Sequence, residues 1–143
     1  MKFSLTLTAA IIAAATGANA IFDCESDQHA FPPTAGKFAV HYTSIRDTEL
    51  NGEPWIRICK PSGSGWTQVD PLSMDCTRDS YTFGTGDTSL RSSFNVVNGN
   101  GCNDDSSNLD GGSMTYGSQT RSLEGDDDNC GDRDHGITCE FDL

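Results

Sequence analysis

Apolar and polar side chains alternate with a period of two in several short runs, and no stretch keeps a period of 3.6 for three turns. Over residues 37–42, Phe38, Val40 and Tyr42 share one face while Ala39 and His41 share the other. Over 55–59, Ile56 and Ile58 alternate with Trp55, Arg57 and Cys59. The clearest run is the last, where Ile137, Cys139, Phe141 and Leu143 alternate with Thr138, Glu140 and Asp142. Residues 92–97 place Phe94 and Val96 together before Asn98-Gly99-Asn100-Gly101. Weaker strand signals lie at 66–69, 81–83 and 113–116. Asn51-Gly52 tolerates the positive φ of a tight type I′ turn and predicts a hairpin folding 45–50 against 55–59. The short segment 26–29 is the helical candidate.

About seven short strands between turn residues predict an all-β fold, a small disulfide-stapled antiparallel β-sandwich or barrel with long polar loops. Residues 21–36, with Pro32-Pro33 near their end, form an N-terminal arm. Residues 98–136 are so rich in Gly, Ser, Asn and Asp that they read largely as loop. Both lie within one domain, 21–143, since this length suits a single domain of ordinary size.

Residues 1–20 are a different object. Lys2 precedes an apolar run ending near Ala15, and Ala18-Asn19-Ala20 follows as a small-x-small cleavage signal. That order predicts a secretory signal peptide cut before Ile21. The run is too short for a transmembrane anchor, which needs about 20 apolar residues. The expected product is a secreted extracellular monomer. From Ile21 onward there are 8 basic and 21 acidic side chains, a net charge of −13. Such acidity disfavours nucleic acid and anionic membranes as partners, because both reward clustered Lys and Arg.

Cys24, Cys59, Cys76, Cys102, Cys130 and Cys139 all follow the leader. An even count in a small exported domain predicts three disulfides, and spacing leaves all fifteen pairings open. Zinc is disfavoured because no close C-x2-C pair exists. About 30% of residues 21–143 are apolar, a thin core against the ordering entropy of the chain. Bridges worth about 2–4 kcal/mol each would therefore matter.

Two acidic clusters invite a calcium reading. Asp126-Asp127-Asp128-Asn129, with Asp132 and Asp134 beyond, concentrates hard oxygen ligands. It fails as an EF-hand loop, with Cys130 and Ile137 standing where acidic ligands belong. The plainer reading is a solvated charge run. Asp104 and Asp105 beside Cys102 would be drawn toward Asp126, Asp127 and Asp128 if Cys102 paired with Cys130. Asp104, Asp126 and Asp128 are then the ligands of a weak Ca²⁺ site; no other cofactor is expected.

Asn103-Asp104-Asp105-Ser106-Ser107 resembles the calcium-binding element of βγ-crystallin domains, but Asn108 stands where its final Ser belongs. Thr88 to Ser93 keeps the closing Ser-Ser and lacks the opening acidic pair. The resemblance covers about a dozen residues and implies a calcium-binding module; a polar turn is the ordinary alternative.

A hydrolase reading rests on His41, Glu53, Arg57 and His135. Small secreted fungal ribonucleases pair His and Glu for acid–base cleavage of RNA, with a cation steadying the phosphate. The spacing here differs from theirs, and the bland reading puts His41 on an exposed strand face and His135 in an acidic loop. No G-x-S-x-G, phosphate loop or N-x-[ST] acceptor is present in 21–143. Trp55 reads as core and Trp66 as the better candidate for an exposed glycan platform.

In overall make-up the chain resembles the small, secreted, cysteine-rich proteins of filamentous fungi, many of them effectors. The resemblance rests on leader, size, six cysteines and the missing catalytic motif. It implies a non-enzymatic virulence-type factor that binds a host protein or an extracellular glycan. It carries over no functional residues.

Overall fold

A computed structural model describes residues 33–43, 54–63, 65–103, 109–133 and 136–143. The fold is all-β, and among the described residues ten strands form two antiparallel sheets. The first sheet has the order β3 (Gly65–Gln68), β2 (Trp55–Ser62), β1 (Lys37–Thr43), β10 (Gly136–Asp142), β9 (Cys130–Arg133), and β4 (Leu72–Ser73) also pairs with β2. The second is a meander of β5 (Ser80–Phe83), β6 (Phe94–Val97), β7 (Ser113–Tyr116) and β8 (Gln119–Ser122). Among the described residues a helical turn, Thr85–Thr88, and a 3₁₀ turn, Asn100–Asn103, interrupt the strands.

The alternation in the sequence places the core. Phe38, Val40 and Tyr42 of β1, Ile56 and Ile58 of β2, and Ile137, Cys139 and Phe141 of β10 turn inward together. Phe83, Phe94, Val96, Met114 and Tyr116 meet them from the second sheet, with Leu90 and Leu123 from its loops. Aromatic rings tie the layers: Phe38 stacks on Phe141 at 5.4 Å and meets Tyr116 edge-on at 4.9 Å. Phe94 meets Phe141 edge-on at 5.3 Å. Each such side chain contributes about 1.5–3 kcal/mol by leaving water.

Where β10 starts, a side chain is impossible. Gly136 pairs with Thr43, and a Cβ there would run into the Tyr42 carbonyl oxygen. The edge strand beside β2 carries a bulge. Cys59 pairs with Gln68 and Ile56 with Leu72, so Val69, Asp70 and Pro71 lie opposite only Arg57 and Ile58. Pro71 falls where no ladder donor is needed.

Residues 55–59 have β1 on one edge and β3 and β4 on the other; the hairpin partner expected for them is 45–50. That segment, Asn51-Gly52 and the helical candidate at 26–29 lie outside the described residues. Within residues 98–136, β7, β8 and β9 alternate with turns and loops. Met114 and Tyr116 signal β7; β8 and β9 have no apolar alternation and are strands because a neighbour's backbone supplies partners.

The cysteine pairing does not draw the two acidic loops together. Cys102 bonds to Cys76 and Cys130 to Cys139, not Cys102 to Cys130. Cys130 and Cys139 are direct cross-strand partners, and Cys76–Cys102 ties the end of the first sheet to the turn after β6. Cys59 is disulfide-bonded as well; Cys24 lies outside the described residues.

Candidate functional site

The strands bring two groups of candidate residues into definite places. The first is the outer face of β1 and β2, opposite the apolar core. His41 pairs directly with Arg57, so both side chains project to that face, as do Thr43, Trp55 and Cys59. The face is not exposed: His41 is 0% accessible, Trp55 2% and Arg57 4%. This overturns the reading of His41 as a surface residue.

His41 and Arg57 each meet a named neighbour on that face. His41 Nδ1 and Thr138 Oγ1 are hydrogen-bonded at 3.1 Å across the β1–β10 register. The Arg57 guanidinium lies 5.2 Å from the Trp55 ring centre, a cation–π contact strengthened by desolvation. The His41 and Trp55 rings are 5.6 Å apart. A buried charge persists only when its surroundings replace lost hydration. The cluster is thus built for packing and orientation. Glu53 and His135, the other hydrolase candidates, lie outside the described residues.

The second group is the acidic turn before β9. Asp127 is turned toward protein: its Oδ1 accepts the Asn129 backbone N–H at 2.8 Å and the Asn129 side-chain amide at 2.9 Å. Its Oδ2 is 3.8 Å from Arg121. Desolvation pushes the Asp127 carboxyl up, but the Asn129 hydrogen bonds and Arg121 outweigh it and hold the pKa below the usual carboxylate range. Asp126 and Asp128 are exposed on either side. Asp104 lies outside the described residues, and among the described residues no three His, Cys, Asp or Glu side chains converge as metal ligands.

Arg121 and its neighbours do something the sequence did not announce. Arg121 Nε donates to the Glu140 carbonyl at 3.0 Å, and its guanidinium lies 5.5 Å from the Phe141 ring centre. Gln119 accepts the Asp142 N–H at 2.8 Å and donates to the Asp142 carbonyl at 3.1 Å. The β9 ladder stops at Cys139, so the backbone of Glu140 to Asp142 would otherwise lack strand partners on that edge. Asn129 accepts the Glu140 N–H at 2.8 Å and completes the set. Side chains of β8 thereby clasp the second sheet to the first. On the far side of Glu140, Lys37 approaches its carboxylate at 3.8 Å and the Thr34 hydroxyl donates to it at 2.8 Å.

These residues carried no local signal, since the Arg121–Glu140 and Gln119–Asp142 contacts span 19 and 23 positions. Trp66 is half-buried opposite Pro61 on the edge strand. Thr88 is buried and its hydroxyl donates to the Gly84 carbonyl at 3.0 Å, a turn role within the second crystallin-like segment. The first such segment lies mostly outside the described residues. Set against models of known protein families, characterised proteins and solved structures, the chain matches none. No helix among the described residues is long and apolar enough to cross a membrane.

Proposed function

We propose that this is a secreted, non-enzymatic, cysteine-rich binding factor of the effector type, meeting a host protein or an extracellular glycan through its loops. The observation carrying this reading is the enclosure of His41 and Arg57, at 0% and 4% accessibility. A general acid or a phosphate-steadying cation must reach substrate, and these two are committed to Thr138 and Trp55. The disulfides fit an oxidising compartment, and with the β8 clasp they stiffen a scaffold whose polar turns face water. Preorganised loops bind with a smaller entropic loss than flexible ones.

The test applies the secreted protein to RNA and polysaccharides at acidic and neutral pH, and to purified extracellular proteins and an array of defined glycans. Saturable binding without turnover is the expected result. Hydrolysis above a matched blank, or no binding to any arm, would overturn the reading.

A further inference from the structure

Asn98-Gly99-Asn100-Gly101 contains the same dipeptide twice, and the fold treats the two copies differently. Asn followed by Gly is chemically fragile, because the next backbone nitrogen can attack the side-chain amide carbon and glycine puts no Cβ in the way. The attack forms a C–N bond, expels ammonia and leaves a five-membered succinimide. Water then opens the ring to aspartate or isoaspartate. No other reactant is needed.

Asn98 is locked. Its Oδ1 accepts from the Tyr42 hydroxyl at 3.3 Å and its Nδ2 donates to the Arg78 carbonyl at 3.0 Å. The attacking atom is held as well, since the Gly99 N–H is hydrogen-bonded to the Tyr42 oxygen. Gly99 is buried, and its nitrogen lies close against Gly112, where an added Cβ would be only 3.0 Å away.

Asn100 is open. It is exposed at the start of the 3₁₀ turn, and its backbone N–H donates to the Asp110 carbonyl at 3.1 Å. Its side-chain amide makes no hydrogen bond among the described residues. The Gly101 N–H falls in the first turn of the 3₁₀ segment, where amides have no partner within the helix. Gly101 is buried as Gly99 is, so the contrast lies in the electrophile: the Asn98 amide is held at both ends and the exposed Asn100 amide is not.

We propose that Asn100 is a site of spontaneous deamidation, converting to aspartate and isoaspartate through the Gly101 nitrogen while Asn98 stays intact in the folded protein. The product adds a negative charge to a turn that already exposes Asp110 and Glu124. The isoaspartyl form also lengthens the backbone two residues before Cys102, within the loop that the Cys76 bridge closes.

The test ages the complete secreted protein in mildly alkaline buffer, digests it with trypsin and sequences the peptide between Arg91 and Arg121 by mass spectrometry. Asn100 should convert about tenfold or more faster than Asn98, because the Asn98 hydrogen bonds must open before reaction. In reduced, denatured chain the two rates should become comparable. Tyr42→Phe should raise the Asn98 rate and leave that of Asn100 alone, a split that general unfolding would not produce. Asn98 converting as fast as Asn100 in folded protein would overturn the proposal. So would an Asn100 that stays intact while the denatured chain converts.

Discussion

The two faces of β1 are both buried, and they are buried by different physics. The inner face sets Phe38, Val40 and Tyr42 among aromatic and aliphatic side chains of both sheets. The outer face sets Ala39, His41 and Thr43 beside Trp55, Arg57 and Cys59. On the inner face free energy comes from area removed from water, and a neighbour of similar volume serves nearly as well. On the outer face desolvation is a cost, offset only by correctly placed partners. The inner face therefore supplies stability, and the outer face demands one arrangement.

The sharpest test removes one large side chain from the inner face and one hydrogen bond from the outer. Phe38→Ala should destabilise by about 3–5 kcal/mol in denaturant titration, a cavity among Phe94, Tyr116 and Phe141. Thr138→Val removes the His41 partner at near-constant volume and should cost about 1–2 kcal/mol. Equal losses would erase the distinction between the faces.

The bridges probe how far packing alone sustains either face. Their sequence separations of 26 and 9 predict about 3.5 kcal/mol for Cys76–Cys102 and about 2.5 for Cys130–Cys139 from loop-closure entropy. Removing each pair as a double alanine variant should reproduce that order in melting temperature. Peptide mapping should recover the same two cross-links; a Cys102–Cys130 link would refute the pairing.

Alkaline titration tests the inner face through its one phenol. Burial pushes Tyr42 up to about 12, opposed by the Gly99 N–H hydrogen bond. The unfolded chain ionises this phenol near pH 10, so the folded state loses stability as pH rises from about 10 to 12, by up to about 3 kcal/mol. Tyr42→Phe should flatten that decline. A decline of equal size in the variant would place its cause elsewhere.

The smallest effect belongs to the acidic turn. The folded Asp127 carboxyl lies below its unfolded value, so its contribution is present above about pH 4 and is lost as pH falls through the folded pKa. Asp127→Asn should remove that acid-side loss, at about 1 kcal/mol or less for a partly exposed pair. Because Asp127 is held by Asn129 and Arg121, calcium should raise the melting temperature no more than magnesium at matched ionic strength. A calcium-specific rise, lost in Asp126→Asn/Asp128→Asn, would restore a metal site.

Legibility followed the size of the local signal. The runs around Phe38, Ile56, Phe94 and Ile137 became β1, β2, β6 and β10 with their inward faces as the alternation required. Even the short runs at Tyr81 and Met114 became β5 and β7. Gln119-Thr120-Arg121-Ser122 and Cys130-Gly131-Asp132-Arg133 offered no apolar period, because these strands rest on a neighbour's backbone and on polar clasps. Arg57 was readable as an outward residue of its strand but not as a buried one.

By itself, then, the chain determined the all-β class and which residues turn inward, because a strand's two-residue period is written locally in its side chains. Tertiary structure alone decided which strands are neighbours, that Cys102 meets Cys76, that His41 and Arg57 are enclosed, and that Arg121 and Gln119 hold the edge of β10. Those outcomes depend on groups far apart in sequence satisfying one another's desolvated donors, acceptors and charges. No local pattern of residue types encodes such a match, since any strand edge offers the same backbone and any cysteine the same sulfur.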